Sequence, residues 1–427
     1  MRTPIDTSTT NSATTNSATT STAAPRTGPL AGIRVLELGN FIAAPSAGRM
    51  LAEFGADVVK IERPLGGDEL RRWRLHGGDT SLLFRAVGRN KRSVTLDLRT
   101  PRARDIVLRM VADVDVVLEN FRPGTLERWG IGPDELRAVN PDLVLVRISG
   151  YGQTGPYRDR PGFGGVAEAV GGLRALTGYP GQPPTRVGIS LADSVAGLYA
   201  VIGALLGLVQ RGTHGGEVVD VALYEAIYSL MESLVPDYDA FGVVREPAGS
   251  ALPGAAPSNT YRCADGRYVV ISGNGDAIFR RLMTAVGRPE LARDPRMADN
   301  AGRVRHSGEL DEALGAWAAG VTMRQATHVL LAAEVPHGPI LTAAEIVDDP
   351  HYAARGMVER RPVRIGDNDG DDESREVRFA GIVPRLEGNP GRTRWLGPEL
   401  GEHTDEVLAE FGYQACERAE LRDQGVI

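Results

Sequence analysis

Cysteine is almost absent from the sequence: Cys263 and Cys416 are the two in 427 residues. Two thiols cannot build a disulfide framework or a zinc site on their own, and so low a count is typical of a reducing compartment. The seven histidines are scattered without the short spacing of metal ligands. We therefore expect a cytoplasmic protein with no metal site, whose chemistry depends on carboxylates, hydroxyls and backbone amides.

Long hydrophobic runs and an excess of positive charge are also lacking. The longest apolar run, 195–209, has fifteen residues including three glycines. It predicts a buried helix, since a membrane span needs about 20 residues. Lysine and arginine number 48 against 55 aspartates and glutamates, which gives a net charge of −7. This balance gives no reason to expect a nucleic-acid or membrane partner.

Sequence signatures for nucleotide and calcium binding are incomplete. GNGDAI (273–278) has isoleucine where the third glycine of a dinucleotide-binding turn belongs, and the phosphate-binding pattern GxxxxGK[ST] does not occur. GISLA (188–192) lacks the second glycine of a nucleophile elbow. In the acidic stretch 366–374, Asp372 stands where a calcium loop needs glycine, so this stretch predicts a solvated turn.

Glycine, in contrast, is plentiful at 52 of 427 residues, which predicts many tight turns. Short β-branched runs alternate with helix-like segments such as 45–54, a pattern typical of a parallel sheet covered on both faces. The sequence therefore predicts an α/β fold. Its predicted strands are 32–38, 58–62, 93–98, 115–120, 143–149, 217–223 and 267–273.

The chain is long enough for two domains. Residues 1–28 are rich in Thr, Ser, Asn and Ala and predict a disordered tail. We expect 29–225 to form the first part of a large domain and 226–345 to form a linker and a smaller α/β domain. Residues 346–427 are then expected to return and complete the large domain.

Asp193 stands immediately before the most apolar predicted helix. There it could be an N-cap, whose bonds to helix amides are worth about 1 kcal/mol. The same position also suits a nucleophile, because the helix dipole favours an ionised carboxylate and the helix holds it rigidly. Spacing alone does not distinguish these two roles.

Nine segments, in this order, resemble the class III CoA-transferases, the group of formyl-CoA transferase, carnitine CoA-transferase and α-methylacyl-CoA racemase. The resemblance covers nearly all of the chain after residue 28 and implies a large Rossmann-like domain, a smaller domain and an interlocked homodimer. The segments are PLAGIRVLELGNFIAAPSAGRMLAEFGADVVKIERP (29–64), NKRSVTLDLRTP (90–101), VVLENFRPGTLERWGI (116–131), ISGYGQTGPYRDRPGF (148–163), PPTRVGISLADSVAGLYA (183–200), GGEVVDVALYEA (215–226), VPHGPI (335–340), DDPHYAARGMV (348–358) and LGEHTDEVL (400–408).

The resemblance implies that Asp193 accepts the acyl group. Its carboxylate would attack an acyl-CoA, giving an aspartyl mixed anhydride and then an aspartyl-CoA thioester that a carboxylic acid resolves. Coenzyme A thioesters are then substrates, and we expect no permanently bound cofactor. The small-residue stretch 249–256 falls where the family carries a loop over the aspartate, although an inter-domain linker explains its composition as well.

The same resemblance assigns a set of CoA-contacting residues. Cationic side chains are expected to converge on the phosphates of CoA. The assigned positions are Arg63 and Arg128 at the adenine end and the phosphates, Leu96 at the adenine, Asn120 as a further CoA contact, and Phe41, Ile42 and Ala43 along the pantetheine arm.

The sequence departs from two members of the family at informative positions. Formyl-CoA transferases have glutamine at Ile42, a tyrosine–glutamate pair at Phe163–Gly164 and lysine at Pro161, so oxalate–formate specificity is disfavoured. Racemases have a histidine at Phe163, and a phenyl ring cannot move a proton. The main prediction is therefore a CoA-transferase; an isomerase or racemase of the same family, or a CoA-binding protein without catalysis, are the alternatives.

The identity of the acids is less well determined by the sequence. The stretches after 215 and 249 resemble family members that act on dicarboxylates such as succinyl-CoA. A free distal carboxylate needs a cationic partner, for which Arg158, Arg160 and Arg186 are candidates.

Overall fold

Short runs of aliphatic and β-branched residues form the strands of the fold. The structure, a computed structural model, describes residues 27–365 and 374–427. The strands are β1 (Arg34–Glu37), β2 (Asp57–Glu62), β3 (His76–Gly77), β4 (Thr80–Ser81), β5 (Lys91–Thr95), β6 (Val116–Glu119), β7 (Val144–Ser149), β8 (Glu217–Ala222), β9 (Ser258–Arg262), β10 (Tyr268–Ser272), β11 (His337–Pro339), β12 (Val358–Arg364) and β13 (Ser374–Ala380).

The main sheet has the order β5-β2-β1-β6-β7-β8, and every neighbouring pair is parallel. This is the strand order of a Rossmann-type doubly wound sheet, so the predicted α/β class with a parallel sheet is confirmed. The winding direction reverses between β1 and β6. In such sheets ligands bind beyond the carboxyl ends of the strands near this reversal.

Helices cover both faces of the main sheet, as its apolar strands require. The helices are α1 (Ala43–Glu53), α2 (Leu82–Val87), α3 (Pro101–Val111), α4 (Thr125–Arg128), α5 (Pro133–Val139), α6 (Gly164–Val170), α7 (Leu173–Leu176), α8 (Leu191–His214), α9 (Leu223–Tyr228), α10 (Leu234–Phe241), α11 (Asp276–Ala285), α12 (Pro289–Arg293), α13 (Asn300–Arg305), α14 (Ser307–Ala319), α15 (Met323–Ala332), α16 (Ala343–Ile346), α17 (Pro350–Ala354), α18 (Thr404–Glu410) and α19 (Ala415–Asp423), with short 3₁₀ turns at Glu69–Arg72 and Pro295–Met297.

Successive residues of each strand point to opposite faces, so the main sheet has two cores. Helices α1, α8 and α9 pack with one set of strand side chains, and α3, α5, α18 and α19 pack with the other. The carboxyl-terminal helices therefore belong to the core of the main sheet, since Leu408 and Leu421 are almost fully buried there.

A second core is formed by a segment that lies, in sequence, between β8 and the carboxyl-terminal helices α18 and α19. Strands β9, β10 and β11 form an antiparallel sheet, against which α11, α14 and α15 pack. Strands β12 and β13 pair as an antiparallel hairpin. The hairpin was not among the predicted strands, because its alternation of charged residues resembles a solvated segment.

The ends of the seven predicted strands differ from the ends of the corresponding observed strands by at most three residues. The predicted start of the apolar helix is wrong: α8 begins at Leu191, so Asp193 lies inside its first turn instead of before it. Of the predicted tail, 1–26 lies outside the described residues, while Gly28 packs closely on the backbone of Phe54. The predicted acidic turn also lies outside them, except for its last residue.

Helix α8 was predicted to be buried, and this is wrong for one of its faces. Leu198, Ile202, Leu206 and Val209 are 52%, 51%, 63% and 84% exposed in the single chain. Their spacing of three or four residues places them in one stripe. By length and composition alone, α8 is the one helix among the described residues that could cross a membrane, a test that core helices also pass.

Candidate active site

Asp193 is the third residue of α8, with Ser190 as the N-cap. The capping role considered above is therefore wrong, although the first turn still favours a negative charge. Burial raises the pKa of Asp193 to about 6, its own backbone amide lowers it, the Glu168 carboxylate raises it further and Arg186 lowers it. Asp193 is thus a carboxylate that is ionised at neutral pH but poorly solvated, which suits a nucleophile.

Gly164, the first residue of α6, lies directly against the Asp193 carboxylate. A Cβ atom on Gly164 would lie 2.0 Å from Asp193 Oδ2. The backbone reaches this point because Gly150 and Gly162 approach each other, a Cβ on either being 3.0 Å from the other's Cα. Larger residues at 150, 162 or 164 would therefore move the chain or the carboxylate.

Three aromatic rings lie beside this contact. The Phe41 ring centroid is 5.4 Å from that of Trp73 and 5.9 Å, in an edge-on arrangement, from that of Phe163. Phe163 precedes Gly164 and is 65% exposed, and Trp73 is 41% exposed. Because Phe163 directly precedes Gly164, these rings form an apolar wall near the partly buried Asp193 carboxylate that can exclude water from it.

The backbone at Phe41 has an unusual conformation, with φ of 63°. A bulky residue in the left-handed region costs about 1–2 kcal/mol, so the surrounding contacts must hold it. Phe41 N donates a hydrogen bond to Asp68 Oδ1 over 3.0 Å, and Lys60 Nζ lies 2.9 Å from Asp68 Oδ2. Lys60 also donates to Gly39 O over 2.7 Å. A buried charge network thus fixes the Phe41 turn.

The network continues through Glu37. This carboxylate pairs with Lys60 over 3.0 Å and with Lys91 over 2.7 Å. Burial lowers the pKa of Lys91 to about 8. Burial also lowers the pKa of Lys60, but Asp68 and Glu37 outweigh it and raise that pKa above its ordinary value. The four charges are buried together, so they position the turn instead of contacting solvent.

The predicted pantetheine residues occupy this turn and the start of α1. Ile42 is the N-cap of α1, and its side chain packs into a small core with Leu70 and Phe84. Ala43 begins α1 and is 2% exposed. Its carbonyl oxygen would lie 3.0 Å from a Cβ on Gly197, so α1 and α8 are in close contact there. Ile42 and Ala43 are therefore both buried in the single chain, at 9% and 2% exposure.

A cavity of about 210 Å³ lies at the carboxyl ends of β1, β2, β5 and β6. We call it the sheet-edge cavity. It brings together two predicted CoA contacts, Arg63 and Leu96, and its volume is below the 300–1,000 Å³ of sites for whole drug-sized ligands, so it suits one part of a larger ligand. It is lined by Leu38, Asn40, Ile61, Glu62, Arg63, Glu69, Leu96, Asp97, Leu98, Arg99, Phe121 and Trp129.

Asn120 and Arg128 are close to the sheet-edge cavity but do not line it. Asn120 Oδ1 accepts from Asn40 N over 2.8 Å, and Asn120 Nδ2 donates to Asn40 O over 2.7 Å. Asn120 therefore positions a cavity residue. Arg128 directly precedes the cavity residue Trp129. It is exposed, and its guanidinium donates to Thr125 Oγ1 over 2.8 Å.

The profile of CoA-transferase family III matches residues 30–404, from before β1 to the start of α18. The chain belongs to CoA-transferase family III. The predicted recognition is confirmed, and with it the prediction that the protein is an enzyme that transfers CoA.

Relatives of this CoA-transferase span nearly its whole length. The succinyl-CoA–D-citramalate CoA-transferase of Chloroflexus aurantiacus is 48% identical over 385 residues, covering 90% of this chain and 94% of the relative. The beta subunit of succinyl-CoA–L-malate CoA-transferase from the same organism is 43% identical, covering 93% and 98%. A CAIB/BAIF family protein from Brucella suis shares the fold, with a TM-score of 0.78, 34% identity and coverage of 90% and 100%.

The 249–256 stretch of this CoA-transferase contacts residues from two parts of the chain. Gly249 N donates to Gly178 O over 2.9 Å, and a Cβ on Gly249 would lie 2.7 Å from the Tyr179 ring. Asn300 Nδ2 donates to Gly254 O over 2.8 Å. The stretch therefore connects the segment before α8 to the start of α13.

Among the residues that shape the site and that sequence reasoning missed are Asp68, Trp73, Phe121 and Trp129. Asp68 could have been noticed as an acidic residue after a Gly-Gly pair and before the 3₁₀ turn. Phe121 and Trp129 pack edge-on with ring centroids 5.0 Å apart, and both lie in a segment that carried the resemblance. No local pattern marks Trp73.

Proposed function

We propose that this CoA-transferase moves CoA from an acyl-CoA to a carboxylic acid through Asp193. The carboxylate attacks the thioester carbonyl, the C–S bond breaks, and CoA leaves as a thiolate. The thiolate then attacks the aspartyl carbonyl of the mixed anhydride, which releases the first acid and leaves an aspartyl-CoA thioester. The observation that carries this proposal is the poorly solvated Asp193 carboxylate, held in the first turn of α8 against a residue without a side chain.

The acceptor acid reverses these steps. Its carboxylate attacks the aspartyl-CoA thioester and expels CoA thiolate, and the thiolate attacks the acyl carbonyl of the new anhydride. Asp193 leaves as a free carboxylate, so no proton or nucleotide is consumed. Both intermediates hydrolyse in water, and the apolar wall of Phe41, Trp73 and Phe163 supports their protection.

We propose dicarboxylates as the substrates, with a succinyl group as donor and a C4–C5 hydroxy dicarboxylate as acceptor. The names of the two Chloroflexus relatives support this class.

The racemase alternative lacks a second base at its expected place. Racemisation needs a group that removes the α-proton, whereas the Phe163 ring carries no titratable atom. Its edge packs against Phe41 instead. We expect no deuterium to enter the α-carbon of an acyl-CoA incubated with the enzyme in D₂O.

We also propose the homodimer that the family resemblance implies. The exposed apolar stripe of α8 and the exposed Phe241 and Val244, at 80% and 71%, support a second copy as their cover. Light scattering is expected to give about twice the chain mass of 45.7 kDa, and a stable monomer at micromolar concentration would contradict it.

An acceptor screen tests the proposed function directly. The enzyme is incubated with succinyl-CoA and one acid at a time, including D-citramalate, L-malate, glutarate, oxalate and acetate, and the products are identified by mass spectrometry. We expect acyl-CoA products from the dicarboxylates of four or five carbons. Formation of CoA and free acid alone would mean hydrolysis, and no product from any acid would overturn the proposal.

A further inference from the structure

Glu168 is a buried carboxylate that the proposed transfer steps do not use. It lies in α6, four residues after Gly164, so both face the same side of the helix. Its side chain is fully buried. Among the residues that the structure describes, Oε1 has no hydrogen-bond partner. A buried carboxylate so close to the nucleophile needs cations to hold it.

Two arginines converge on the other oxygen of Glu168. Arg174 Nη2 lies 3.4 Å and Arg186 Nε 3.9 Å from Glu168 Oε2. Their side chains are 30% and 53% exposed, so both guanidinium groups also face solvent. Two positive charges share the Glu168 carboxylate, and the ionised Asp193 carboxylate nearby balances the second of them. When Asp193 is acylated it is neutral, so one positive charge remains unbalanced and can bind a substrate anion.

The glycine pair at 164 and 165 lies between the nucleophile and Arg174. A Cβ on Gly164 would meet Asp193, and a Cβ on Gly165 would lie 3.2 Å from Arg174 Nη2. The carboxylate and the guanidinium thus border adjacent residues of one helical turn, with no side chain from that turn between them.

The other arginines near this segment are engaged elsewhere. Arg158 Nε lies 3.4 Å from Asp159 Oδ1, and the Arg160 guanidinium stacks 3.5 Å from the Tyr157 ring centroid. Of the three candidates for binding a distal carboxylate, Arg186 is the one that pairs with Glu168, the buried carboxylate near Asp193.

We propose that Arg186 and Arg174, oriented by Glu168, bind the distal carboxylate of dicarboxylate substrates while the proximal carbonyl reacts at Asp193. The inference rests on the proposed function and names its specificity residues. A guanidinium binds a carboxylate with two parallel hydrogen bonds, which sets direction as well as affinity. Monocarboxylates of the same length lack this anchor.

Binding of succinyl-CoA and butyryl-CoA tests the inference, because the two acyl groups have four carbons and differ in the terminal carboxylate. Dissociation constants are measured by calorimetry in the Asp193→Asn background, which prevents turnover. We expect tighter binding of succinyl-CoA, and Arg186→Met to reduce that preference about 10- to 100-fold. Arg160→Met serves as the matched control and is expected to leave the preference unchanged.

The outcomes separate the inference from the proposed function. An unchanged preference in a folded Arg186→Met protein, or no preference before mutation, overturns the carboxylate site while transfer through Asp193 stands. Transfer activity in Asp193→Asn overturns the proposed function instead. If Arg186→Met does not fold, Arg186→Lys keeps the charge but loses the paired hydrogen bonds, and we expect it to lose about tenfold in preference.

Discussion

Around Arg63 and Leu96 the site is made by residues that follow neighbouring strands of one sheet, whereas around Asp193 it is made by separate helices and turns. The sheet-edge cavity needs only the parallel strand order to exist, because the carboxyl ends of its strands meet at one edge. The Asp193 end needs close backbone approach at glycines and a buried carboxylate, Glu168, that is held by partly exposed arginines. A single added methyl group is therefore expected to disturb the Asp193 end.

Gly164→Ala breaks the Asp193 end with the largest expected effect. The new methyl group takes the position of Asp193 Oδ2, and since that carboxylate can rotate, the fold is kept while the nucleophile moves. A displacement of about 1 Å can cost about 100-fold in rate, so we expect kcat to fall by at least that factor. The change is measured in steady-state transfer assays, with the melting temperature as the check on folding.

Gly188→Ala is the matched control for this substitution. Gly188 lies in the same sequence motif, five residues before Asp193, and a Cβ there would meet nothing within 4 Å. Equal activity of the two alanine variants would contradict the contact between Gly164 and the nucleophile.

The pH dependence of the donor reaction reports the environment of Asp193. Burial raises the pKa of Asp193 to about 6, so the protonated, inactive form accumulates below that pH. We expect kcat/KM for the acyl-CoA to be constant above about pH 7 and to fall tenfold per pH unit below about 6. A profile still flat at pH 5, in protein that remains folded, would contradict a poorly solvated nucleophile.

Asp68→Asn weakens the charge network that holds the Phe41 turn. The substitution removes a charge that faces the buried Lys60 ammonium group over 2.9 Å. Breaking a buried pair by removing one partner costs about 3 kcal/mol of unfolding free energy, and the freed turn is expected to raise KM for acyl-CoA about tenfold. Chemical denaturation and initial rates measure the two effects.

The exposed Asp79 provides the control for Asp68. Asp79→Asn is expected to change the free energy of unfolding by less than about 0.5 kcal/mol and leave KM unchanged. If the two variants behave alike, the network does not position the turn.

The difference between the two ends also explains what the sequence could predict. Strands β1, β2, β5, β6 and β7 are short runs that contain aliphatic or β-branched residues and lie between turn residues, so their positions along the chain were predicted; their order in the sheet and the cavity at their ends were not. Arg63 and Leu96 were placed there by family register alone.

The Asp193 end could not be predicted in the same way. Gly164 and Asp193 are 29 residues apart in sequence, and their contact depends on the backbone approach of Gly150 to Gly162. Arg174 and Arg186 meet at Glu168 only after α6, α7 and the following segment pack together. Contacts of this kind leave no periodic pattern in a single sequence.

Covalent labelling of Asp193 tests the central claim most directly. The enzyme is incubated with succinyl-CoA and then with hydroxylamine, which converts an activated aspartyl group to a hydroxamate, and the peptide from Val187 to Arg211 is analysed by mass spectrometry. We expect the hydroxamate on Asp193 in the wild type, with no label and no transfer activity in Asp193→Asn. Wild-type turnover in Asp193→Asn, with an unlabelled peptide in both proteins, would contradict the covalent role of Asp193.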